Sequence, residues 1–192
     1  MLTFMLCVIC IMYILYMLCT PCFAKVMLHR RLSSFKVDEC THAKILFDVA
    51  DSLEKSQIFF WLGEGTALGA IRQQTIIPGD GDVDIGMYTG DKARFIREVL
   101  PELVEKGFSV GRRFSPYTLY RDNHYIDIDF TSHGGKCAAI RWLGNCDNVL
   151  GLLEPFQQCT INNRAFLCPS MRYIVRLYGG DWQTPKPDFK PL

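Results

Sequence analysis

The 192 residues hold 21 basic and 20 acidic side chains, for a net charge of +1, and 49% of them are hydrophobic. A balance this near neutral lacks the clustered positive charge with which proteins engage phosphate backbones, so no nucleic-acid partner is expected. Length allows one domain once an apolar start is set aside, and partners must be argued from a site.

Met1 to Ala24, MLTFMLCVICIMYILYMLCTPCFA, contains no charged residue. As a helix at 1.5 Å per residue it reaches about 36 Å, against a hydrocarbon core of about 30 Å. We expect a membrane anchor over 1–24, a juxtamembrane linker over 25–40 and the folded domain over 41–192. A cleaved signal peptide is the rival, since Cys22-Phe23-Ala24 ends in a small residue, but no basic region precedes the apolar run. Lys25, Arg30, Arg31 and Lys36 follow the segment, a flank that favours a cytosolic domain. The nine cysteines leave the redox compartment open. Two CxxC pairs lie inside the apolar segment, where acylation or burial fits better than zinc, and a Cys159 to Cys168 disulfide is one of several pairings the domain allows.

Farther on, THAKILFDVADSLEKSQ (41–57) spaces Ile45, Leu46, Val49 and Leu53 for an amphipathic helix. IFFWL (58–62) predicts a buried strand, and GEGTALGAIR a glycine turn opening a short helix whose first N–H groups can face an anion. An acidic strand follows at about 82–88. DKARFIREVLPELVEKG (91–107) predicts a helix broken at Pro101. FSVGRRF and YTLYRDNHYIDIDF alternate as paired strands do, CTINNRAFLCPS predicts a hairpin through Asn162-Asn163, and PSMRYIVRLYGGDW a helix that glycines end. The order indicates an α/β or α+β sheet domain with a site at the strand ends.

The chemistry concentrates in IIPGDGDVDIGMY (76–88), where Asp80, Asp82 and Asp84 alternate through an apolar run. In an extended chain, residues two apart share a face at roughly 7 Å. Two carboxylates at that distance repel by roughly 2.5 kcal/mol at an effective dielectric near 20. A divalent cation of the Mg2+ or Mn2+ type compensates such a face directly, because both prefer grouped hard oxygen ligands. A calcium loop does not fit, since an EF-hand counted from Asp80 needs glycine and glutamate where Ile85 and Asp91 stand. Taken alone, Asp127 and Asp129 in YIDIDF read equally well as solubility charges on an edge strand. For Arg72 a surface ion pair is the alternative to an anion contact, and for Gly65 and Gly69 turn and packing needs are the alternative to a binding role.

FFWLGEGTALGAIRQQTIIPGDGDVDIGMY (59–88) as a whole resembles the signature of the LicD, fukutin and fukutin-related protein family, a branch of the nucleotidyltransferase superfamily. Trp61, Gly65-Thr66, Leu68-Gly69, Arg72, Ile77-Pro78 and the aspartate run carry the resemblance. YIDIDF matches the family's later acidic strand, with Asp127 at the corresponding position, and YGGDWQTPKP (178–187) its C-terminal ending. Gly79 and Glu64 depart from the family's usual tryptophan and glycine. The resemblance implies a nucleotidyltransferase-like mixed sheet flanked by helices. It further implies transfer of a phospho-substituent, such as phosphocholine or an alditol phosphate, from a CDP-activated donor to a hydroxyl of a glycan or glycoprotein acceptor. Asp82, Asp84 and Asp127 would be catalytic, with Asp80 as a further candidate metal ligand. Gly65, Thr66 and Arg72 would contact the donor, and the compartment would be the Golgi or another secretory-pathway membrane. The alternatives are a catalytically inactive relative that binds nucleotide or glycan or scaffolds a glycosylation enzyme, and a nucleotidyltransferase that attaches the nucleotide itself.

Overall fold

The computed structural model describes residues 39–113, 116–132 and 149–186, so the expected anchor over 1–24 lies outside the described residues, as does most of the expected linker. Among the described residues no helix is long and apolar enough to cross a membrane.

The first helix, α1 (Glu39–Lys55), buries one stripe that includes Ile45, Leu46, Val49 and Leu53, the four positions its periodicity singles out. Next come β1 (Phe60–Leu62), α2 (Glu64–Gln73) and β2 (Val83–Tyr88). A helical run then passes through α3 (Lys92–Arg94), a π-helical turn (Phe95–Val99) and α4 (Leu100–Glu105). Pro101 does not break this run. It falls in the first turn of α4, where its missing N–H removes no bond, and the preceding turn is widened so that Leu100 N–H donates to the Phe95 carbonyl. The strands β3 (Ser109–Arg113), β4 (Tyr117–Arg121) and β5 (His124–Thr131) follow, then α5 (Val149–Leu153), β6 (Gln157–Ile161), β7 (Arg164–Cys168) and α6 (Met171–Tyr178).

Five strands form one mixed sheet in the order β1-β2-β5-β4-β3. β2 and β5 are parallel neighbours at its centre, although the helical run and two strands separate them in sequence. Register aligns Val83 with Ile126, Ile85 with Ile128 and Met87 with Phe130 on one face, all six buried. Asp84 opposite Asp127 and Gly86 opposite Asp129 fall on the other face. Each buried apolar side chain contributes about 1.5–3 kcal/mol, so the apolar face outweighs the repulsion on the acidic one.

Two tight turns close the hairpins. Asp122-Asn123 (φ 53° and 63°) joins β4 to β5, and Asn162-Asn163 (φ 48° and 66°) joins β6 to β7. Both residues of each turn are left-handed, as a two-residue hairpin requires and as Asn and Asp tolerate. A disulfide between Cys159 and Cys168 staples the second hairpin.

Candidate active site

Parallel pairing of β2 with β5 brings the two acidic stretches together. Asp82 stands one residue before β2, Asp84 within it, and Asp127 directly opposite Asp84. One ligand atom from each of these three lies within 4.8 Å of the others, and all three residues are half-buried. Asp80 takes a different course. Its carboxylate folds back onto the start of α2, where a Cβ on Gly65 would sit 2.6 Å from Asp80 Oδ2, and its Oδ1 accepts from Gly81 N–H at 3.0 Å.

Hydroxyls surround the acidic triad. Asp84 N–H donates to Thr66 Oγ1 at 2.8 Å, and Gly63 N–H donates to the Asp84 carbonyl at 2.8 Å, so the glycine turn clamps the strand from both sides. Thr66 itself is buried, which makes its hydroxyl a tie within the protein. Tyr125 Oη donates to Asp82 Oδ2 at 3.2 Å, and Thr118 Oγ1 donates to Asp127 Oδ1. Burial, followed by the Asp82 charge, raises the Tyr125 phenol and keeps it a donor.

Glu64 joins the cluster from the first position of α2, with a positive φ of 29°. Burial, then the charges of Asp129, Asp82 and Asp127, pushes its carboxyl up to about 7. Asp80 is pushed up to about 7 by burial and by Asp82, and Asp84 well above the usual carboxylate range, chiefly by burial. A cavity of about 20 Å³ lies among Trp61, Glu64, Asp84, Gly86, Asp129 and Tyr173, room for one water or one bare ion. The carboxylates offer only hard oxygens, so the donor set fits Mg2+ or Mn2+.

Arg72 occupies the last turn of α2, about 9 Å along the axis from Thr66, with Nε buried and without a hydrogen-bond partner among the described residues. Sequence reading did not single out Glu64 as a site group, or Tyr125 and Thr118 at all. Tyr125 had a signal, since Tyr125, Asp127 and Asp129 alternate along β5 and share its face. Thr118 had none, because only cross-strand register sets it beside Asp127.

Residues 57–144 match the LicD/FKTN/FKRP nucleotidyltransferase domain. Over 68 residues the chain is 37% identical to an uncharacterized protein of Rickettsia prowazekii, a stretch covering 35% of this chain and 25% of that protein. It is 26% identical over 156 residues to the ribitol-5-phosphate transferase FKTN of Homo sapiens, covering 71% of this chain and 32% of that protein. The matches thus span a quarter to a third of these curated relatives. The crystal structure of ANT(2″)-Ia in complex with adenylyl-2″-tobramycin superimposes with a TM-score of 0.55 at 15% identity, covering 78% of this chain and 82% of that one. The solution structure of the antibiotic-resistance factor ANT(2″)-Ia gives 0.53 at 15% identity, covering 80% and 78%. These two likenesses show a nucleotidyltransferase fold, and the expected mixed sheet flanked by helices is the one found. With the glycine turn and all three triad aspartates inside it, the segment 57–144 is similar to the LicD/FKTN/FKRP nucleotidyltransferase domain.

Proposed function

We propose that this protein is a metal-dependent transferase that moves a phospho-substituent from a CDP-activated donor to a glycan hydroxyl. The observation that carries the reading is the convergence of Asp82, Asp84 and Asp127 within 4.8 Å inside the family-matched segment. Asp82, Asp84 and Asp127 would hold a Mg2+ or Mn2+ ion, which when bound supplies positive charge against the donor phosphates. The start of α2 would meet the donor through the backbone amides at Gly65 and Thr66. Asp80 now lies against Gly65, so a phosphate reaching those amides must displace its carboxylate. Arg72, with a buried Nε free to donate, is the nearest guanidinium on the same helix for a bidentate phosphate contact.

For the compartment we infer the Golgi or another secretory-pathway lumen, with the apolar segment as a single-pass anchor. The Cys159–Cys168 disulfide supports this, because such bonds persist in oxidising compartments. The basic flank at Lys25 to Lys36 argues the other way, but it is a statistical bias in orientation. A glycosylation tag in the domain, modified in cells, is the expected result, and an unmodified tag would put the domain in the cytosol.

The reaction itself is tested by incubating the full-length chain in detergent with CDP-choline or CDP-ribitol, Mn2+ and a glycan acceptor, and weighing the product. Acceptor gaining the phospho-substituent, with CMP released, is expected. Acceptor gaining a nucleoside monophosphate would instead make the protein a general nucleotidyltransferase. Asp82→Asn is expected to abolish turnover; an unchanged rate and metal dependence would remove the mechanism.

A further inference from the structure

Asp82 lies outside the strand ladder, so pairing does not fix the direction of its side chain. Asp127 lies inside the ladder, but its carboxylate can still rotate about its own bonds. Each accepts a hydrogen bond from a hydroxyl of the β4–β5 hairpin. Tyr125 reaches Asp82 Oδ2 across 43 residues of sequence, at 3.2 Å. Thr118, the cross-strand partner of Asp127, donates to its Oδ1. An ionised carboxylate only accepts, so both hydroxyls must be donors.

We infer that Tyr125 and Thr118 are positioning residues that set the affinity of the acidic triad for a divalent cation, each by orienting one of its carboxylates. The inference rests on the proposed metal site and deepens it. Two features point beyond a merely structural role. Thr118 is 1% exposed, so its orientation is locked by packing. Tyr125 and Asp127 are two apart on β5 and share a face, so a single rigid strand carries both a ligand and the donor that orients another ligand.

The test is calorimetric titration of the full-length chain in detergent with Mn2+, for the wild type and for Tyr125→Phe, Thr118→Val, Thr118→Ser and Asp82→Asn. Thermal unfolding is recorded without metal in parallel. Tyr125→Phe and Thr118→Val are expected to weaken Mn2+ binding about 10- to 100-fold. Thr118→Ser, which keeps the donor, should restore it, and the metal-free melting temperature of Tyr125→Phe should stay at the wild-type value. If Thr118→Val does not fold, the near-isosteric Tyr125→Phe and the conservative Thr118→Ser still decide. Wild-type affinity in folded Tyr125→Phe, with binding lost in Asp82→Asn, would overturn the inference and leave the metal site standing. No Mn2+ binding by the wild type, or undiminished binding by Asp82→Asn, would overturn the metal site and the inference together.

Discussion

Three glycines near the site separate two kinds of close contact. A Cβ at Gly86 would lie 2.2 Å from the Trp61 indole, and one at Gly69 would lie 2.5 Å from the Thr75 carbonyl. Neither neighbour can move freely, so Gly86→Ala and Gly69→Ala are expected to lower stability by about 1–3 kcal/mol. At Gly65 the neighbour is the tip of the Asp80 carboxylate, which can rotate away. Alanine also favours the helix by about 1 kcal/mol, so Gly65→Ala should be near neutral. Urea midpoints compare the three, and equal losses would show that the Asp80 contact is as rigid as the others. At this scale the sequence was legible where one short pattern held the information. The alternating aspartates point to a shared face, but only Asp84 lies in the strand itself. Asp80 departs because Gly79, at φ 81°, turns the chain just before it. Glu64 was visible as a departure from the double glycine, but nothing local tells that its carboxylate lies in the field of Asp129 and Asp82.

Among the elements, α1 and α4 are joined through Glu102, whose carboxylate meets Lys55 at 2.8 Å, Lys106 at 2.9 Å and Ser52 at 2.9 Å. The Lys55 hydrogen bond first, then those of Lys106 and Ser52, push Glu102 down to about 2. A depressed carboxylate stabilises the fold above its unfolded value and loses that contribution as pH falls through its folded value. The stability gap between wild type and Glu102→Gln should therefore be constant above about pH 4.5 and close toward pH 2. Urea titrations across that range check it, and a gap independent of pH would show that the network carries no charge-dependent stability. The β6–β7 hairpin offers a second check. Its disulfide closes a loop with a separation of 9 residues, so reduction should cost about 2.5 kcal/mol in the chain-entropy account, read as a lower urea midpoint in reducing buffer. Element types were legible in the sequence because each has a local cause, such as the apolar stripe of α1 or the Asn162-Asn163 turn. The continuity through Pro101 was not, because a widened turn is not written in residue spacing.

For the molecule as a whole, the sheet gathers negative charge on one face, where Asp84 of β2 lies opposite Asp127 of β5. Glu64 and Asp80, both raised to about 7, stabilise the fold fully below their unfolded values near 4 and lose that contribution as pH rises through 7. The metal-free protein should accordingly be more stable in mild acid than at pH 8. A bound cation removes the penalty, so stabilisation by saturating Mn2+ should grow between about pH 5 and pH 8 as the ligands deprotonate. Melting temperatures at the two pH values measure this, and equal Mn2+ shifts would contradict it. The parallel pairing of β2 with β5 lies beyond local sequence reading, since residues 89–123, helix and hairpin, intervene and only the closed sheet sets Asp84 against Asp127. That pairing turns two acidic stretches into one candidate metal site, and its most direct test is calorimetric titration with CDP in the presence and absence of Mn2+, for wild type and Asp82→Asn. Binding that requires Mn2+ and vanishes in the variant is the predicted result. Binding of CDP without metal, or no binding by a folded wild-type protein, would contradict a site built to hold a donor through a cation.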